Sequence, residues 1–248
     1  RVTATTETDD RLLGGRVIVR QPRDGFRVSV DTVLLAAAVA LVPGARALDV
    51  GCGSGGATLC LAARVSDVAL VGLDRDADMV ACLDANIDAN GFADRVTAET
   101  HDVAAAVPDH LRGGFEHVFS NPPYLPAGRA DTRRLDAARR AATVESVPVA
   151  DWITFMARCC CPDGQMTLIH RADRLEELLP ALAVHAGAIR VLPVWPREGA
   201  PAKRVIVTAR IGARAPTRIC PGLVLHDETG SYTAAALRLI HEGAALEF

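Results

Sequence analysis

The chain predicts an α/β protein built on a mainly parallel sheet with helices on both faces. Two observations predict it. Strand-like and helix-like segments alternate through most of the sequence, and a glycine cluster sits where the first central strand turns into a helix. The 248 residues suit one such domain with a modest extension.

The elements follow in order. Residues 1–11 read as frayed. Short apolar pieces over 12–27, broken by Gly14-Gly15 and Asp24-Gly25, predict a β-hairpin. Asp31 is placed to cap a helix reaching Leu41, closed by Pro43-Gly44. A strand over 47–50 leads into a helix over 55–64. A second strand over 68–73 leads into a helix over 77–90 that ends at Gly91. Strands at 95–99 and 117–120 flank a short predicted helix at 103–111. A long linker over 125–148 precedes a helix (151–161), a strand (165–169) and a helix (175–185). Two more strands, 189–194 and 204–209, are separated by Pro201-Ala202, so the second is expected to run antiparallel. A loop over 216–231 and a helix over 233–241 complete the chain.

Half of the residues are apolar, 23% are charged and the formal net charge is −3, as in an ordinary globular enzyme. Any nucleic-acid contact must therefore come from a local basic patch. Lys203 is the only lysine, so the abundance of arginine reflects a general bias and carries little functional weight. The longest apolar run, 33–42, is about half of what a membrane-spanning helix needs. With a polar, acidic start (RVTATTETDD), this points to a cytoplasmic protein. The seven cysteines include the consecutive Cys159, Cys160 and Cys161, which is not a metal-ligand spacing; reduced thiols and no metal site are expected.

The loop Asp49-Val50-Gly51-Cys52-Gly53-Ser54-Gly55-Gly56 carries the first chemistry. Glycines there permit positive φ and a close approach of ligand to backbone, at the strand end where open parallel sheets bind ligands. Gly51, Gly53 and Gly56 also satisfy the dinucleotide G-x-G-x-x-G pattern, which alone discriminates little. Asp49, just before the first glycine, would oppose a pyrophosphate and suit a cationic ligand. Asp74, ending the next strand, suits ribose hydroxyls. Asp102, in His101-Asp102-Val103, reads in isolation as a helix cap.

The second feature is Asn121-Pro122-Pro123-Tyr124, directly after His117-Val118-Phe119-Ser120. Two prolines present their carbonyls rigidly and donate nothing. The Asn121 side-chain oxygen is another neutral acceptor, and Tyr124 offers a flat face for stacking. A delocalised, weakly nucleophilic exocyclic or carboxamide nitrogen needs two such acceptors, Asn121 and the Pro122 carbonyl. They hold its N–H bonds and stabilise the positive charge that grows during alkylation.

Together, DVGCGSG, LDRD, HD and SNPPY resemble class I methyltransferases of the amino-methylating group. The upstream LGGR…QP…GFRVSVDTVLLA is similar to the start of bacterial tRNA1(Val) adenine-N6 methyltransferases, a group often catalogued as predicted O-methyltransferases. The resemblance covers about residues 12–210. It implies a Rossmann-like fold with a seven-stranded, mostly parallel sheet, S-adenosyl-L-methionine as cofactor and tRNA as partner. It implies an extension over 1–42 and a methyltransferase domain with a C-terminal tail over 43–248. Asp49, Gly51, Gly53, Asp74 and Asp102 would hold the cofactor, with Cys52, Gly55, Arg75, Val103 and Asn121 beside them in the same motifs. Asn121, Pro122, Pro123 and Tyr124 would grip the target base.

Arg129, Arg133 and Arg134 give the linker a positive excess suited to phosphate contacts, while a solvated helix face fits the same residues. Three other readings stay open. They are methylation of a protein glutamine amide, an NAD-linked oxidoreductase, and a non-catalytic RNA-binding protein.

Overall fold

A computed structural model describes residues 7–23, 27–123 and 147–248. The main sheet begins with β3 (Ala45–Val50), β4 (Val68–Asp74), β5 (Val96–Thr100) and β6 (Phe115–Ser120). It continues with β7 (Cys160–Arg171), β8 (Ala186–Arg197) and β9 (Arg204–Ile211). These seven lie in the order β8-β9-β7-β6-β3-β4-β5, and β9 alone among them runs antiparallel to its neighbours. Two short strands, β10 (Arg218–Ile219) and β11 (Leu223–His226), add to the free edge of β8. Where a loop is expected over 216–231, the chain thus extends the sheet to nine strands.

Alternation along each strand sends neighbouring side chains to opposite faces. Ala47 and Phe119 enter one apolar cluster, with α1 (Val30–Ala38), α2 (Gly56–Arg64) and α3 (Ala77–Asn90). Leu48 and Val118 enter the other, with α4 (Val149–Cys159) and α5 (Leu175–Ala183). A last helix, α6 (Ala234–Ile240), packs with α1 through the first cluster, which includes Leu239.

The chain lays β3, β4 and β5 side by side and then returns to place β6 on the other flank of β3. The strand order reverses at that point, and the crevice between the carboxyl ends of β3 and β6 is the predicted ligand position. Val50 pairs with Leu73 on one side and with Ser120 on the other, so three motif-bearing turns leave the sheet at one level.

Three further local expectations are corrected. Residues 7–11 belong to β1 (Glu7–Leu12), which pairs antiparallel with β2 (Val17–Pro22); the polar ETDDRL segment is held by that pairing and not by its own propensity. Ser29 precedes α1, and its N–H donates to the Thr32 hydroxyl (3.3 Å). Asp31 instead accepts from Arg204 Nε at 2.8 Å, a partner 173 residues away. No helix forms at 103–111. That stretch is turns and irregular chain in which Val107 and Leu111 are buried, and Pro108 has no N–H to offer a helical ladder.

Candidate active site

The glycine loop is built by positive φ at Gly51 (74°), Gly53 (54°) and Gly55 (88°). The N–H groups of Gly51 and Cys52 both donate to the Leu73 carbonyl (2.7 and 3.0 Å), which pulls the turn toward β4. The glycines have separate reasons. A Cβ on Gly51 would lie 2.9 Å from the Trp152 ring, one on Gly55 would lie 2.2 Å from Leu83, and one on Gly56 would strike Val28 and Thr32. At Gly53 nothing lies within 4 Å, so this residue faces open space where a ligand can approach the backbone.

Asp49 is buried, and its Oδ2 accepts from the Thr58 hydroxyl at 2.7 Å. It thereby serves the first turn of α2, whose N-cap Gly55 has no side chain to offer. Burial, reinforced by the charge of Asp74, pushes the Asp49 carboxyl up to about 7 despite the Thr58 bond. Burial and the same two acids drive the Cys52 thiol well above its ordinary range, so it is an inert wall of the loop.

Asp74 fastens the turn after β4. Its Oδ2 accepts the Gly53 N–H (2.8 Å) and its Oδ1 the Asp76 N–H (3.0 Å), and each oxygen retains capacity for another donor. Arg75 beside it is exposed. The Asp74 carbonyl takes the His101 N–H at 2.9 Å and brings the end of β5 alongside. Asp102 is exposed and closes a local turn through the Ala104 N–H (2.9 Å), where the sequence suggested a helix cap. Val103 is half-buried and packs on the second apolar cluster.

From β6, Asn121 and Pro123 emerge half-buried and Pro122 buried. Among the described residues, no hydrogen bond engages the Asn121 side chain. Tyr124, Arg129, Arg133 and Arg134 lie outside the described residues. The parallel register therefore brings Asp49, Gly51, Cys52, Gly53, Gly55, Asp74, Arg75, Asp102, Val103, Asn121, Pro122 and Pro123 to one edge of the sheet.

A ligand seated at Gly53 meets the Asp74 carboxylate, with the acid of Asp49 buried behind the loop. This pair of acids opposes a pyrophosphate and suits a molecule with a positive centre and ribose hydroxyls to donate, so the residues fit S-adenosylmethionine. Among the described residues, no cluster of three or more His, Cys, Asp or Glu could hold a metal ion, and all seven cysteines are free.

Comparison with known proteins agrees with this geometry. Residues 27–142 match the model of the methyltransferase small domain. A tRNA1(Val) (adenine(37)-N6)-methyltransferase from Porphyromonas gingivalis strain W83 is 30% identical over 225 residues, which cover 86% of this chain and 87% of that protein. The chain belongs to this methyltransferase family. A second member, from Pasteurella multocida, is 29% identical over 85% of this chain and 86% of its own. The crystal structure of a predicted O-methyltransferase from Agrobacterium tumefaciens superposes with a TM-score of 0.73 at 25% identity, over 87% of this chain and 98% of the other. The protein is thus an S-adenosylmethionine-dependent methyltransferase with a class I fold.

Sequence reasoning missed four residues that hold this site together. Ser120 is fully buried and Trp152 nearly so, and they join the two motif loops. Gln21 (1% exposed) and Asn86 (fully buried) bind the N-terminal hairpin to the glycine loop. Asn86 did leave a signal, a polar residue on the face of α3 that also carries Leu83 and Ile87.

Proposed function

We propose that this methyltransferase transfers a methyl group to the exocyclic N6 of an adenine in tRNA. The observation that carries the reading is the register of β3 against β6, with the glycine loop leaving Val50 and the Asn121-Pro122-Pro123 loop leaving its partner Ser120. The names of the family members quoted above support the choice of tRNA and of adenine N6.

In this reading Asp74 receives the ribose hydroxyls of the cofactor and Asp102 its adenine amino group, with Arg75 and Val103 flanking. Gly51, Cys52, Gly53 and Gly55 shape the loop, and the Asp49 charge favours a cationic ligand. The bound cofactor supplies a methyl group on a sulfonium centre. Asn121 Oδ1 and the Pro122 carbonyl accept the two N–H bonds of the target amine and turn its lone pair toward that methyl. As the new N–C bond formed and the methyl's bond to sulfur broke, leaving a neutral thioether, both oxygens would stabilise the growing positive charge, and the acidic product ammonium would then lose a proton to solvent. Pro123 stiffens the loop. Tyr124 gives the turned-out base a stacking face, and Arg129, Arg133 and Arg134 meet RNA phosphates. Residues 1–42 act as an extension on the domain formed by 43–248, and tRNA as partner makes the protein cytoplasmic.

The test is incubation with labelled S-adenosylmethionine and separate tRNA and protein pools. Label should enter tRNA as N6-methyladenosine. Asn121→Ala should lower that rate on the order of 10²-fold or more, as for loss of one preorganised acceptor, with cofactor affinity intact. Label on a protein glutamine amide would replace this substrate, and near-normal turnover in Asn121→Ala would show that the loop is only structural.

A further inference from the structure

The two motif loops part at the end of the sheet. Gly51 and Cys52 turn toward β4 through the Leu73 carbonyl, while Pro122 and Pro123 have no N–H to continue a ladder with β3. Among the described residues, no backbone hydrogen bond joins 51–55 to 121–123. Among the described residues, one hydroxyl spans the gap. The Ser120 hydroxyl, fully buried, donates to the Val50 carbonyl at 2.6 Å. The same oxygen accepts from the Trp152 indole Nε1–H at 2.9 Å. Trp152, on the first turn of α4, also sets its ring edge against Gly51, where a Cβ would come within 2.9 Å.

We infer that Ser120 and Trp152 are positioning residues for methyl transfer, a buried strut that fixes Asn121 and Pro122 relative to the cofactor loop. The hydroxyl's one proton is committed to Val50 and one lone pair to Trp152, so its rotation is locked. The residue before the strut on each strand is held by the ladder, and the residue after it belongs to the chemistry. Transfer between a fixed sulfonium methyl and a held nitrogen depends steeply on alignment, and a displacement of about 1 Å can cost about 10²-fold. The strut acts on alignment alone, because neither side chain is required to touch the reacting atoms. This rests on the reading of Asn121 and Pro122 as the amine acceptors.

Three measurements test it. Single-turnover transfer at saturating cofactor and acceptor should fall about 10-fold or more in Ser120→Ala and several-fold in Trp152→Phe. Affinity for S-adenosylhomocysteine by calorimetry should stay within about threefold, and Ser120→Thr, which keeps the hydroxyl, should recover much of the rate. The double variant should be no worse than Ser120→Ala, since both changes remove one junction. Independently of any acceptor, the Trp152 indole N–H resonance should be protected from exchange and should move on addition of S-adenosylhomocysteine. It should lose that protection in Ser120→Ala, while the other indole, Trp195, stays put.

Unchanged turnover in Ser120→Ala, a rate loss explained wholly by weaker cofactor binding, or an unprotected Trp152 indole in the native protein would overturn the strut. If Ser120→Ala does not fold, Trp152→Phe and the native indole signal decide by the same criteria. If adenine in tRNA is not the acceptor but another amine is, the substrate reading falls and the strut is judged on that amine.

Discussion

Asp49 serves two ends with one carboxylate, anchoring α2 through Thr58 and placing an acid behind the glycine loop. Without a cation beside it, that charge costs stability. The folded-state value near 7 lies above the ordinary 3.8, so the folded protein binds more protons than the unfolded chain between about pH 4 and 7. The group's contribution is therefore favourable below pH 4 and is lost as pH rises through 7, by an amount on the order of a few kcal/mol. Asp49→Asn removes the titration at the price of one acceptor for Thr58. Its melting temperature minus that of the native protein, without cofactor, should become more positive from pH 5 to pH 8. A difference independent of pH would contradict this account of the buried acid. The sequence showed Asp49 as an acid of the loop; its capping of α2 depends on a fold that brings Thr58 onto it.

At the scale of elements, the N-terminal hairpin shows how a polar helix face replaces a strand. The outer edge of β2 is met by two side chains of α3 one turn apart. Asn90 accepts the Ile18 N–H (2.9 Å) and donates to the Ile18 carbonyl (2.7 Å). Asn86 does the same for Arg20 (2.9 and 2.8 Å) and donates also to the Ser54 carbonyl in the glycine loop (3.0 Å). Two asparagines thus satisfy the backbone groups that an unpaired strand edge would expose. Asn90→Ala should cost about 1–3 kcal/mol in urea denaturation, the range for stranding a buried polar group. Asn86→Ala should cost at least as much and also weaken S-adenosylhomocysteine binding, because it alone reaches the loop. Equal cofactor affinity in both variants would contradict that coupling. The alternation of β and α, the helix Ala77–Asn90 and the antiparallel β9 were all legible, because local pattern decides them. The absent helix at 103–111, the β10 and β11 edge and the Asp31–Arg204 pair were not, because partners far along the chain decide them.

Across the whole molecule, parallel strands bring the legible motifs to one end of the sheet, so short sequence motifs converge on one candidate site. The strut of Ser120 and Trp152 was hidden for the opposite reason, since it joins β6 to α4 across 32 residues and carries no pattern of its own. With a formal charge of −3, any contact with RNA must come from local features. The most direct measurement is nucleoside analysis of tRNA from cells with and without this chain. N6-methyladenosine should vanish from tRNA when the chain is deleted, return with the native protein and stay absent with Asn121→Ala. Persistence of that nucleoside, with loss of a methylated glutamine instead, would contradict the account.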